Sequence, residues 1–110
     1  MTLEGNKLGD QNFVILASAL CYNSTVTVLN LNDNNISDSS MKVCAEMIHM
    51  ASHLKALFLS WNRITSKGIP LICQTLKFNE TLQILDLSFN WIGKSLEKKS
   101  EALFLELKPP

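Results

Sequence analysis

His49 and His53 are the only histidines in this chain of 110 residues, and they stand four positions apart. On one helix that spacing could clasp a zinc ion. The hydrolytic version needs Glu directly after the first histidine, however, and Met50 occupies that place. The apolar helical pattern also stops before His53, so the two rings need not share a face. Two histidines at a helix end do not complete a Ser/His/Asp set either. Gly5, Gly9, Gly68 and Gly93 are scattered rather than grouped, which leaves no phosphate-cradling loop. No catalysis, no cofactor and no metal are therefore expected.

Cys21, Cys44 and Cys73 make an odd set, each within or beside an expected helix. A disulfide framework uses an even set in a secreted chain, so reduced, partly buried thiols acting as small apolar side chains are expected. Three Asn-x-Ser/Thr sequons begin at Asn23, Asn35 and Asn79. The opening residues are too polar for a signal peptide, so the sequons read as products of Asn- and Ser-rich turns. Ten basic and ten acidic residues cancel, which steers the chain toward neither nucleic acid nor an anionic membrane. No apolar run approaches the ~20 residues of a membrane span. A cytoplasmic protein is expected.

The elements that must position any site follow from one repeated pattern. Leu-x-Leu-x-x-Asn-x-Ile occurs at Leu29–Ile36, Leu57–Ile64 and Leu85–Ile92, each copy 28 residues after the last. One period earlier, Leu3, Asn6 and Leu8 fill the same slots. Self-similarity held in one phase over four copies is the signature of a solenoid. Within a unit the leucines alternate with polar residues, as in Leu29-Asn-Leu31-Asn, and this period of two buries one face of a short strand. Asn34, Asn62 and Asn90, with Asn6 before them, sit where the chain leaves the strand. There an amide can pair with backbone groups that the turn leaves open, so this column is read as a structural ladder.

Each unit then continues into a helix. Met41, Cys44, Ala45 and Ile48 recur at helical spacing, as do Ile69, Ile72, Cys73 and Leu76, and Phe13, Leu16, Ala17 and Leu20. Ser37 or Asp38 could cap the second helix, and Pro70 suits the first turn of the third. Strands pack ~4.8 Å apart but helices need ~8–10 Å, so stacked units must curve with the strands inside.

These motifs resemble the ribonuclease-inhibitor-type leucine-rich repeat, over about residues 1–93, and Leu16-Ala17-Ser-Ala19-Leu20 and Gly68 fit the helical portion of that family. The resemblance implies an α/β solenoid, a right-handed horseshoe segment with a parallel sheet on its concave face and helices on its convex face. It also implies an intracellular protein that binds other proteins. The family's members include the inhibitor itself, the sensor ends of NOD-like receptors, actin regulators, axonemal proteins and a Ran GTPase activator. The organisation expected is one domain, 1–110: a partial repeat 1–23, then repeats 24–51, 52–79 and 80–107. The last unit breaks phase, with Glu97, Ser100 and Glu101 where apolar residues belong, and reads as an atypical capping helix over about 94–108. The start, halfway through a module, is compatible with a fragment of a longer solenoid, with pairing to a partner or second copy at the open edge, or with a tolerated bare end.

The outward strand positions form rows: Val28, Ala56, Ile84; then Asn30, Phe58, Asp86; then Asn32, Ser60, Ser88; and last Asp33, Trp61, Phe89. Large aromatics on a face where solubility favours polar residues suggest a binding surface. The partner-binding residues expected are Phe58, Trp61, Phe89, Asp33, Asp86 and Ile84, with Arg63 and Trp91 extending the rim. The opposing reading is that an aromatic before the Asn packs over the strand-to-turn edge. The function expected is non-enzymatic binding of a protein partner through the concave face. An enzyme regulator of the GTPase-activator or inhibitor type, or an incomplete product of a longer gene, are the alternatives.

Overall fold

The computed structural model describes residues 1–92 and the backbone of the strand at 104–106. Three parallel strands, β1 (Val28–Asn30), β2 (Ala56–Phe58) and β3 (Ile84–Asp86), pair in the register of the repeat, so Leu29, Leu57 and Leu85 lie side by side. Thr2 extends this sheet through a parallel bridge to Asn30. Helices α1 (Gly9–Leu20), α2 (Met41–Met50) and α3 (Ile69–Leu76) return the chain along the other side, and a short 3-10 turn at Asp38–Ser40 leads into α2. The core between the layers is the set the pattern picks out. Leu29, Leu31, Ile36, Leu57, Leu59, Ile64, Leu85 and Leu87 are buried against Phe13, Ala17, Met41, Cys44 and Ile72. This is an α/β leucine-rich solenoid segment: neither layer could cover its apolar face alone, and stacking covers both.

Four expectations need correction. The fourth strand, β4 (Phe104–Glu106), pairs antiparallel to β3, with Leu105 opposite Leu85. It falls inside the expected capping helix over 94–108, whose other residues lie outside the described ones. An exposed edge of a parallel sheet presents open N–H and C=O groups, and a strand satisfies them where a helix cannot. Cys73 is exposed rather than partly buried. With 100° per residue, Ile69, Ile72 and Leu76 define the inward stripe and Cys73 falls on its flank. In α2 the stripe is instead wider than expected and includes buried Met47, because helices pack on both of its sides.

The last correction concerns capping. Neither Ser37 nor Asp38 caps its own helix with a side-chain bond. A carboxylate from the preceding repeat instead braces the turn that leads into α2 and the one that leads into α3. Asp10 accepts from the Ser37 N–H (2.8 Å), the Ser37 hydroxyl (2.6 Å) and the Ser40 hydroxyl. One period later Asp38 accepts from the Thr65 N–H (2.8 Å) and hydroxyl (2.5 Å). Gly68 is what lets α3 begin against this Asp38. A Cβ there would stand 2.5 Å from the Asp38 Oδ1 and 2.6 Å from the Met41 Cγ.

Candidate protein-binding face

The Asn column is the frame on which the candidate face is built. Asn62 accepts through Oδ1 from the N–H groups of Asn34 and Ile36, both at 3.0 Å, and its Nδ2 donates to the carbonyls of Leu31, Leu59 and Ser60. Asn34 serves the N–H of Asn6 and Leu8 in the same way, and Asn90 serves Ile64. Asn34, Asn62 and Asn90 are buried, whereas Asn6 is exposed and bonds locally to the Leu3 and Glu4 carbonyls. Each of the three buried amides thus satisfies polar backbone that would otherwise be stranded in the core.

The residue before each Asn is forced into the left-handed region. Gly5 has φ 70°, Asp33 55°, Trp61 59° and Phe89 58°. Glycine takes this conformation freely and aspartate tolerates it, but it costs a bulky side chain roughly 1–2 kcal/mol. Trp61 and Phe89 therefore occupy a slot that backbone chemistry would give to smaller residues. Their rings stack on each other with centroids 4.4 Å apart and planes 3° from parallel. Trp61 is still 49% exposed, and Phe89 is half-buried. Each ring thus covers one face of the other, and Trp61 keeps a broad surface toward solvent.

The strand register sets the neighbouring rows. Phe58, half-buried, lies between Asn30 and Asp86, and Ile84 lies beside Ala56. Ala56 is buried, Ile84 half-buried and Val28 exposed, so that row changes character along the sheet. One oxygen of Asp86 is engaged by the Ser88 N–H (3.0 Å) and hydroxyl (2.5 Å). Asp33 is exposed and, with Glu4 and Trp61, lines an open hollow of about 290 Å³ at the rim. Glu4 is a residue that the row analysis misses, although it stands one period before Asn32 and its row was there to be extended. Arg63 is exposed and Trp91 half-buried on the next turn, and the backbone of each is fixed by a bond to the previous unit, to the Ile36 and Ile64 carbonyls respectively. The structure brings Trp61 and Phe89 into contact and places Asp33 at the same hollow as Trp61. Phe58, Asp86 and Ile84 sit on β2 and β3 in adjacent rows.

Other candidate chemistry is accounted for locally. The Asn23 side chain accepts from the Thr25 and Val26 N–H groups, and Asn79 accepts from Thr81 and Leu82 while donating to the Ile48 carbonyl at 2.8 Å. Two of the three sequon asparagines thus close the turns that precede strands. His49 belongs to α2, and His53, beyond its end, pairs with the Ser52 hydroxyl at 3.2 Å. Among the described residues no three His, Cys, Asp or Glu side chains gather as metal ligands, and no helix is long and apolar enough to cross a membrane.

The Leucine Rich repeat family matches residues 22–43, 51–73 and 78–95, together more than half of the sequence. The chain belongs to the leucine-rich-repeat family. Among solved structures it is similar to leiomodin-1 actin-binding site 2, with 26% identity and a TM-score of 0.73. That likeness covers 82% of this chain and 51% of the other, so the chain spans about half the length of its structural relative. No curated protein sequence matches it.

Proposed function

We propose that this leucine-rich-repeat chain is a non-enzymatic module of the ribonuclease-inhibitor type that binds a protein partner through its concave strand face. The observation that carries the reading is the Trp61–Phe89 stack, held in two left-handed backbone slots that favour glycine. Residues in strained backbone slots cluster at functional sites, and here one such slot holds Trp61 with half of its surface facing solvent. In this reading Trp61, Phe89 and Phe58 supply apolar contact area, with Ile84 beside them. Asp33 and Asp86 select a partner that presents Lys or Arg, and Arg63 and Trp91 form the rim.

The likeness to an actin-binding domain supports a cytoskeletal partner and makes actin the first protein to test. The deciding experiment compares the intact chain with a Phe58/Trp61/Phe89 triple-Ala variant in actin co-sedimentation and in pull-downs from lysate. Proteins retained by the intact chain and lost from a folded variant support the concave face. Equal retention by both moves binding elsewhere, and absence of actin from both catches leaves only the cytoskeletal part refuted.

A further inference from the structure

The convex side carries a second surface in phase with the repeat. Tyr22, Met50 and Phe78 stand one period apart at the ends of successive helices and are 84%, 47% and 79% exposed. Ile15 and Leu71, two periods apart with half-buried Val43 between them, form a parallel column and are also exposed. Solvated helix faces ordinarily carry polar residues, so two apolar columns on one face indicate something that covers them. Between α2 and α3 this face opens into a groove of about 380 Å³. Ala45 lies on its α2 side, Leu71 on its α3 side, and Phe78 stands at its edge. The Thr75 hydroxyl donates to the Ala45 carbonyl at 3.2 Å and so ties the two helices together.

We propose that this convex face is a dimer interface and that its occupant is a second copy of the same chain. Three features select a copy over an unrelated partner. The projecting Phe78 and the groove that could receive such a ring lie on one surface, as an isologous two-fold contact requires. Lys42 and Glu46, both exposed on α2 and both lining the groove, are opposite charges one helical turn apart. Antiparallel approach of two α2 helices pairs Lys42 of each copy with Glu46 of the other. The formal net charge of zero removes long-range repulsion between copies. Phe78 then enters the opposite groove as an aromatic anchor, and the charge pairs fix the register. The concave face remains open in such a dimer.

Sedimentation equilibrium of the full chain tests this, over concentrations from about 10 to 300 µM, the range in which small interfaces dissociate. A reversible dimer is expected, with Phe78→Glu weakening it by at least roughly tenfold. Phe78 is too exposed for that change to unfold the chain, and a thermal melt checks this. The decisive arm uses Lys42→Glu and Glu46→Lys separately and mixed. Each variant alone places like charges opposite one another and stays monomeric. The mixture restores two favourable pairs and forms a heterodimer, which no effect inside one helix could produce. Trp61→Ala, on the other face, leaves the dimer intact. A monomeric wild-type chain across the range, a dimer indifferent to Phe78→Glu, or a mixture that fails to associate would each overturn the proposal.

Discussion

Replacing Trp61 with glycine and with alanine should give an order of stability opposite to the usual one. Both changes remove the stack on Phe89, worth about 0.5–1.5 kcal/mol, and the burial of half an indole. They differ in the backbone. Alanine keeps the left-handed penalty at φ 59°, roughly 1–2 kcal/mol, which glycine relieves. Glycine gives back about 0.4–1 kcal/mol through the greater freedom of its unfolded chain. The balance leaves Trp61→Gly more stable than Trp61→Ala by up to about 1.6 kcal/mol, roughly 0.8 kcal/mol at the middle of both ranges, a melting-temperature gap of about 3–6 °C for a domain of this size. Urea unfolding and thermal melts of both variants and the wild type read this directly. Partner binding should fall in both alike, by about 1–3 kcal/mol if Trp61 is an anchor. An alanine variant as stable as the glycine variant, or more so, would refute the argument that the slot is strained and that the aromatic is kept for another purpose.

Other perturbations address the frame. Asn62→Ala should cost roughly 3 kcal/mol or more, since it removes the partner of two buried N–H donors and of the Leu31 carbonyl. The Leu59 and Ser60 carbonyls keep the Asn90 amide and the Asp33 N–H. Asn6→Ala, at an exposed and locally bonded position, should cost about 1 kcal/mol or less, and paired denaturant curves compare the two. Gly68→Ala should destabilise by about 1–3 kcal/mol, because Asp38, already bonded to Thr65, and buried Met41 both block the new methyl group. Burial alone would raise the pKa of Asp10. The bonds from the Ser37 hydroxyl, the Ser40 hydroxyl, the Ser37 N–H and the Ser39 hydroxyl outweigh it and hold the carboxyl below its ordinary value. A depressed folded pKa contributes stability above the unfolded value of about 3.9. That contribution is lost as pH falls through the folded pKa, so melts taken from pH 5 to pH 2.5 should decline less steeply in Asp10→Asn. Burial pushes the Cys44 thiol up to about 12, so alkylation at pH 8 should mark exposed Cys73 first and reach Cys44 only on unfolding.

The sheet register, the inward leucines and the Asn turns were legible because each is a local rule repeated at one period. Met47 was not, since its burial depends on having helices on both sides rather than on its place in the α2 stripe. The roles of the Asp10 and Asp38 carboxylates are not legible locally, because each braces a turn of the following repeat. Their spacing of one period was in view, but their partners lie a whole repeat away. The convex columns through Ile15 and Tyr22 follow the same period at outward helical positions. Of the candidate face, the rows could be written down from alternation alone. The left-handed turn that sets Trp61 and Phe89 face to face could not, because neither residue type advertises that conformation. Strand β4 lies in the segment where Glu97, Ser100 and Glu101 break the period, so its pairing is decided by the open sheet edge beside it and not by the repeat.

The Asn ladder has a direction. The backbone of each turn is completed by the amide that lies 28 residues ahead of it, as Asn34 is by Asn62 and Asn6 by Asn34. A chain emerging from the ribosome therefore cannot finish a turn with what it has already made. Each module must wait, with its N–H groups still on water, until the next one arrives to close it. Folding would then trail synthesis by one full repeat, and the most recently made unit would always be the soft one. A stall within any module leaves the module before it unsealed, and that is where a protease or a chaperone would find its grip.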